Sequence, residues 1–417
     1  MKVKIPNAYQ NTKSLSQSFT RRRFLAASTS TLVLAGCSGA PEPGRYTQSD
    51  IDLLAAQRIA EAENAGKGRY GPQQYQGYRG LADLPWFELD ERGALQCIDE
   101  SIPLAIDAHC HLGMSVLFEP RLDLSKQTGR TAHLLDCDKP TPGCDLDLDV
   151  YANENFTDKT LDELELNMLT QGLWGSAVNR SQTIPNLLRE MDAMRVESAV
   201  LLPIKLGLPF GDNLTESWRA AVEAQGASDR LLSGFSVHPD DDDRISKIRQ
   251  HAKQGFRVMK LHPPVQRFYP DDPAMMEVYE VAQELGVTIF FHGGRAGIEP
   301  ESSHRYAMPR HYEAPLREFP QLNFILGHAG ARDFAAMSAL AMRYDNAWLG
   351  VHGQSVSNLE QLIQKSSGER LLFGTDWPFY HIASSLAKVL ICTEDTGMAT
   401  IRHAILRGNA ERLFGLA

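Results

Sequence analysis

The chain has 417 residues, of which 43% are hydrophobic and 23% charged, the make-up of an ordinary globular protein. That length accommodates one large barrel of roughly 250 residues with additions, or two smaller domains. The formal net charge is −10 with no basic stripe, which argues against nucleic acid as a partner, since phosphate binding needs clustered Lys and Arg.

The N-terminal residues do not read as part of a fold. Thr20-Arg21-Arg22-Arg23-Phe24-Leu25 resembles a twin-arginine export signal, and an apolar run from Phe24 to Gly36 follows. The run is shorter than the roughly 20 residues of a membrane-spanning helix, and it has the basic front and small-residue end of a signal peptide. It closes on Leu34-Ala35-Gly36-Cys37, which resembles a bacterial lipobox. That resemblance implies a signal over 1–37, lipidation of Cys37 and a tether over 38–48, with a plain signal peptide and a chance cysteine as the alternative. The expected mature protein is exported to the periplasmic side and touches a membrane only through this anchor. The twin-arginine route carries folded proteins, which suits an enzyme that loads its metal before export.

Residues 49–66 show helical periodicity, with Ile51, Leu53, Leu54, Ile59 and Ala60 as the apolar stripe. Residues 67–103 are rich in Gly, Tyr and Gln, with a hairpin expected around Glu91-Arg92-Gly93. Together, 49–103 form a helical and hairpin prefix without a core of its own.

From Leu104 the pattern changes, and short apolar runs recur, each ending in a residue able to do chemistry. They are Leu104–His111, Ser198–Pro203, Leu231–His238, Phe256–His262, Val287–His292, Asn323–His328, Ala347–His352 and Leu371–Asp376. Segments of helical periodicity, such as Ala274–Leu285 and Arg332–Arg343, lie between them. Eight such repeats over 104–417 predict an α/β fold, a (β/α)8 TIM barrel, with parallel strands joined by crossover helices. An open doubly wound sheet would instead be expected to carry Gly-x-Gly-x-x-Gly after its first strand, and that motif is absent.

One gap breaks the rhythm. Residues 112–196 contain a long insertion after the first strand, together with the first crossover helix. In a barrel the loops that follow strands form the catalytic face, so the insertion is expected to cover the mouth of the site. It holds Cys137 and Cys144, which flank a turn-rich stretch and are expected to form a disulfide in an oxidising compartment, free thiols being the alternative. Cys97, Cys110 and Cys392 have no evident partner. The acidic run Asp145–Asp149 reads as a solvated loop face, with cation binding as the lesser alternative.

Residues two apart in a strand point the same way, so Asp107, His109 and His111 share one face at the end of the first strand. Two adjacent imidazoles make a bidentate platform for a divalent metal. Among 13 histidines a lone His-x-His is weak evidence. Its position strengthens it, because His292, His328 and Asp376 end later strands and a barrel brings strand ends to one point. His109, His111, His292 and Asp376 supply three nitrogens and a carboxylate, a set that leaves one coordination position open.

Ile106-Asp107-Ala108-His109-Cys110-His111, Phe291-His292-Gly293-Gly294, Ile325-Leu326-Gly327-His328-Ala329-Gly330, Phe373-Gly374-Thr375-Asp376-Trp377-Pro378 and the ending Gly408-Asn409-Ala410-Glu411-Arg412-Leu413-Phe414 resemble the amidohydrolase superfamily. They are most similar to its amidohydrolase-related branch, which includes amino-carboxymuconate-semialdehyde decarboxylase-like enzymes and sugar lactonases. The resemblance covers about residues 104–416, and the insertion departs from it. It implies that His109, His111 and His292 are metal ligands, that Asp376 is a ligand that also takes a proton from the activated water, and that His328 activates water or polarises the substrate. Zinc is the expected ion. A two-metal site bridged by a carboxylated Lys260 is the alternative.

Lys260 and His262 end the fourth strand and are candidates for substrate contact if one metal is present. His238 and His352, at the ends of the third and seventh strands, are further candidates for the pocket. Arg295, His304 and Arg305 follow the fifth strand and could hold a substrate carboxylate, or lie at the surface. Trp377 and Phe379 either wall the pocket or pack in the core.

The expected function is metal-dependent hydrolysis of a small-molecule ester, lactone or amide. A non-oxidative decarboxylase on the same ligands is the first alternative. A non-catalytic, lipid-anchored binding protein is the second, and the intact set at His109, His111, His292, His328 and Asp376 argues against it. A homo-oligomer is compatible with the sequence.

Overall fold

In the computed structural model the eight apolar runs become the eight strands of a barrel. The structure describes residues 44–113, 122–138, 144–208 and 212–416. The expected export signal over 1–37, with Cys37, and most of the expected tether lie outside these residues. The compact unit that holds everything below runs from Tyr46 to Ala417.

The strands are β1 (Ala105–Cys110), β2 (Val196–Leu201), β3 (Leu231–Ser233), β4 (Val258–Leu261), β5 (Thr288–Phe291), β6 (Phe324–Leu326), β7 (Ala347–Gly350) and β8 (Leu371–Leu372). They pair in parallel in two ladders, β1-β2-β3 and β4-β5-β6-β7-β8. Single bridges join the ladders, Phe235 with Met259 on one side and Cys110 with Trp377 on the other. At the second seam His111 N–H donates to the Trp377 carbonyl at 2.6 Å, and Asp376 N–H to the His109 carbonyl at 2.8 Å. The sheet is thereby closed, and the chain folds as a (β/α)8 TIM barrel. Closure sets the end of β1 beside the end of β8, which is what brings the histidine pair to Asp376.

The crossover helices follow from sequence period. The helix Pro273–Leu285 buries Met275, Val278, Tyr279 and Ala282, and ends at Gly286, whose φ of 64° suits glycine. The helix Val356–Ser366 buries Val356, Leu359, Leu362 and Ile363, and the Ser355 hydroxyl caps it by accepting from Asn358 N–H. Each such buried leucine contributes on the order of 2 kcal/mol.

The prefix departs from its expected stripe. Its helix, α1 (Gln48–Asn64), buries Leu54, while Leu53 and Ile59 are 51% and 59% exposed. Polar contacts hold it instead. Arg58 pairs with Glu154 and Asp158, Arg310 with Asp50, and Arg295 donates to the Asp50 carbonyl. In a helix docked through charged side chains the apolar period does not mark the buried face. Beyond it, Phe87–Leu89 and Leu95–Cys97 form an antiparallel hairpin.

The acidic run is likewise not a solvated loop. Asp145–Asp147 pairs as a strand with Gln74–Gln76. Asp149 is buried and accepts from the N–H groups of Gly66 and Ser357, so its carboxylate caps a helix rather than offering a cation site. Cys137 and Cys144 are joined by a disulfide. Cys97, Cys110 and Cys392 are free thiols.

Candidate active site

Strand β1 delivers His109 and His111 to the barrel mouth, and both are buried. Their Nε2 atoms lie 3.0 Å apart. Asp376 Oδ1 stands 3.4 Å from His109 Nε2 and 3.3 Å from His111 Nε2. Donor atoms about 2.0–2.2 Å from a shared divalent ion are separated by roughly 2.8–3.6 Å at tetrahedral or octahedral angles. The three residues therefore fit such an ion. The His111 ring is oriented from behind, its Nδ1 lying 2.7 Å from the Leu202 carbonyl, which leaves Nε2 as the lone-pair nitrogen.

Among the described residues two groups of three could hold a metal: His109 with His111 and Asp376, and His109 with His328 and His352. His292 belongs to neither. Its ring stacks on His262 with centroids 4.0 Å apart and meets His328 edge-on, and its buried Nε2 has no hydrogen-bond partner in this structure. Sequence reading put His292 in the ligand set. The structure places it on the wall of the same cavity, next to the group rather than inside it.

Burial drives the electrostatics. Desolvation pushes His109 well below the ordinary imidazole range, with Lys260 adding to the effect, and it lowers His111 against the opposing pull of Asp376. It takes His292 down to about 3. Neutral imidazoles are the form that coordinates a metal. Burial also brings Lys260 down to about 7, opposed by Asp376, and its Nζ lies 3.1 Å from His109 Nε2 and 4.9 Å over the Phe290 ring.

The backbone is bent where the chemistry would occur. His328 and Asp376 have φ of 53° and 58°, the left-handed region that non-glycine residues seldom occupy. Behind the bend at Asp376, the Glu190 carboxylate accepts from the Trp377 indole at 3.3 Å, from the Ile382 N–H at 2.9 Å and from His133 at 3.2 Å. The group opens into a cavity of about 250 Å³, with a polar floor and walls that include Met168, Ile204, Val265, Ile298 and Phe379. An apolar recess with a few convergent polar groups is the usual form of a small-molecule site.

The family model described as amidohydrolase matches residues 106–416. The chain belongs to the amidohydrolase family. No curated protein matches it. Among solved structures, an uncharacterized TIM-barrel protein from Bordetella bronchiseptica is 21% identical, with a TM-score of 0.50 over 57% of this chain and 84% of that one. A 2,6-dihydroxybenzoate decarboxylase from Rhizobium is 20% identical, with a TM-score of 0.47 over 58% and 92%. A 5-carboxyvanillate decarboxylase from Novosphingobium aromaticivorans, complexed with manganese, is 15% identical, with a TM-score of 0.48 over 76% and 97%. Identities this low speak to fold alone.

Two further candidates of this amidohydrolase sit elsewhere than sequence reading put them. Arg295 is fully buried, but its guanidinium is committed to Asp333, with Nε at 2.9 Å and Nη2 at 2.5 Å, and to the Asp50 carbonyl at 2.8 Å. It fastens the prefix to the barrel and has no donor pair left for a substrate carboxylate. His238 packs over Gly207, accepts from Asp240 N–H and does not line the cavity. Strand β3 stops at Ser233, so His238 lies past the point where the strands converge.

Lys260, His262 and His328 do line the cavity, as does Phe379, while Trp377 packs in the core. His352 is buried against His109 and His328, with centroids 4.1 and 4.2 Å away, and both its ring nitrogens lack hydrogen-bond partners in this structure. His304 is buried 3.8 Å from Glu299, and Arg305 is exposed. Sequence reading missed Tyr151, Asn153 and Tyr380, which also line the cavity. The first two lie at the start of a single 3-10 turn, Ala152–Asn155, within the insertion, too short for any period to mark them. Tyr380 stands four residues beyond Asp376, and that proximity was the available signal.

Proposed function

We propose that this chain is a metal-dependent hydrolase of a small-molecule ester, lactone or amide. The observation that carries the reading is the His109–His111–Asp376 group, with donor atoms 3.0–3.4 Å apart, on the floor of a mainly apolar cavity. These three residues would hold one divalent cation, with His292 adjacent. Their two nitrogens and one oxygen suit zinc and also admit manganese, cobalt or iron. When bound, such an ion polarises a carbonyl and makes water acidic enough to react near neutral pH.

The protein's own groups do the rest. Asp376 is placed to accept a proton from the attacking water and return it to the leaving group. His328 is placed to hydrogen-bond the carbonyl oxygen as charge develops. The apolar walls lower the local polarity, which strengthens both interactions.

Lys260 favours a second reading. A buried amine 3.1 Å from His109 offers a carboxylate a countercharge, which would suit a non-oxidative decarboxylase on the same residues. A panel of lactones, esters, amides and aromatic carboxylates separates the two. Incorporation of oxygen from labelled water identifies hydrolysis, and release of carbon dioxide identifies decarboxylation. If no compound is consumed, or if His109→Ala turns over as wild type does, the catalytic reading is lost.

We also propose export and lipid attachment at Cys37. Labelling of cells with a fatty-acid probe should mark the wild-type protein and leave Cys37→Ser unmarked.

A further inference from the structure

The segment after the acidic run ties three loops of the barrel mouth together. Ala152 N–H donates to the Gly353 carbonyl, beyond β7, at 2.8 Å. Asn153 Nδ2 donates to the Ala296 carbonyl, beyond β5, at 2.9 Å, and its Oδ1 accepts from the Tyr380 hydroxyl, beyond β8. Tyr151 is fixed between these ties. It is 1% exposed and packs with Ala296 and Ala331. Gly353, with φ of 81°, leaves space for the ring, since a Cβ there would lie 2.9 Å from Tyr151 Cε2. The phenol oxygen ends 3.5 Å from His328 Nδ1, and both side chains line the cavity.

We infer that Tyr151 is a positioning residue that selects the tautomer of His328, donating its O–H to Nδ1 so that the ring carries its proton on Nε2. The inference rests on the hydrolase reading, which needs a donor at His328. The direction of the bond follows from chemistry. Phenol is the stronger acid of the two and an imidazole nitrogen the stronger base, so the hydroxyl donates and the nitrogen accepts. A neutral imidazole has one N–H. With Nδ1 accepting, Nε2 becomes a donor, able to stabilise negative charge on a carbonyl oxygen. In the other tautomer Nε2 would be an acceptor and could only compete with Asp376 for protons. Tyr151 therefore divides the work, with His328 donating and Asp376 accepting. It belongs to the insertion and to none of the motifs that carry the family likeness.

The test uses the full chain with zinc as the only added metal and isotopically labelled histidine. Two-bond nitrogen–proton correlation spectra report each ring's tautomer, and His328→Gln assigns the resonance. Wild type should show His328 protonated on Nε2. Tyr151→Phe should lower the ratio of the Nε2–H to the Nδ1–H form about fivefold, the equivalent of one lost neutral hydrogen bond. A wild-type ring protonated on Nδ1 overturns the inference, and this arm does not depend on Tyr151→Phe folding. An unchanged ratio in a natively folded Tyr151→Phe also overturns it. On any panel compound that is turned over, the variant should lose kcat with KM little changed, and a change in KM alone counts against it. Failure of the hydrolase reading would look different, with no panel compound consumed while the tautomer shift persists.

Discussion

The Asp107 carboxylate accepts two hydrogen bonds from Thr375, one from its backbone N–H at 3.0 Å and one from its hydroxyl. It accepts a third from the His109 N–H at 2.9 Å. One buried carboxylate thus joins β1 to the segment that follows β8, directly behind the pair that faces the cavity, His109 and Asp376. Burial raises its pKa to about 6 against the pull of those hydrogen bonds and of the Cys110 thiol. Asp107→Asn would turn an N–H group toward donors. The expected result is a loss of about 1–3 kcal/mol of stability and a roughly 10–100-fold weaker affinity for zinc. Thermal melts and metal titration check both, and unchanged affinity would show that Asp107 does not orient the ligands.

Metal removal follows from the fit of the ligand group. Chelation should lower the melting temperature, since an ion at 100 times its Kd stabilises the folded state by about 2.7 kcal/mol. His111→Ala should abolish that difference. About one zinc per chain is expected by elemental analysis. A second equivalent, lost in His352→Ala, would place another ion on His109, His328 and His352.

Arg295 separates a structural role from substrate binding. Its partner Asp333 is 3% exposed, so Arg295→Met would leave a buried carboxylate without its cation and should cost about 3–5 kcal/mol. The variant should melt earlier while KM for carboxylate-bearing compounds stays near wild type. A selective rise in KM for those compounds would restore the substrate role.

Glu190 predicts the acid side of the stability profile. Burial works against its ionised form, but the neighbouring His381 and His133, together with hydrogen bonds from His133 and Ile382 N–H, hold its pKa down to about 2. The folded value lies below the unfolded one of about 4.3. Its contribution is therefore complete above the unfolded pKa and is lost as pH falls through the folded one. Glu190→Gln should cost about 2–3 kcal/mol at neutral pH, and the gap to wild type should narrow as pH falls from about 4.5 toward 2. Melts across that range check the sign, and a gap that widens on acidification would contradict it.

The disulfide bears on the cavity through the backbone. Leu134 and Leu135 N–H groups donate to the Pro378 and Phe379 carbonyls, each at 2.9 Å, just before Cys137. Cys137→Ser/Cys144→Ser should cost about 2–3 kcal/mol from chain entropy and loosen the wall that carries Phe379. Melting with and without reductant, and protease sensitivity near residue 379, measure the two effects.

The barrel and its floor were legible because both follow from local sequence. Alternation of short apolar runs with helical period needs no tertiary knowledge to read, and strand ends converge in any closed barrel, so His109, His111 and Asp376 could be grouped across 260 intervening positions or more. The stripe on α1 failed because charged contacts, not an apolar face, dock that helix. Arg295 and His238 failed because a strand-end position says where a Cα lies and not which neighbour claims the side chain.

What the sequence determined by itself is therefore the fold class, the family motifs and the identity of the groups that could meet at the mouth. The tertiary structure decided which of them meet: His109, His111 and Asp376 within 3.4 Å of one another, His292 beside them, Arg295 turned away to Asp333. It also decided that Tyr151 reaches His328, a contact across 177 positions. The physical reason is range. Periodicity and strand direction are fixed by neighbours in the chain, whereas hydrogen-bond partners and a shared cavity are fixed only when the closed sheet and the packed insertion bring distant residues together.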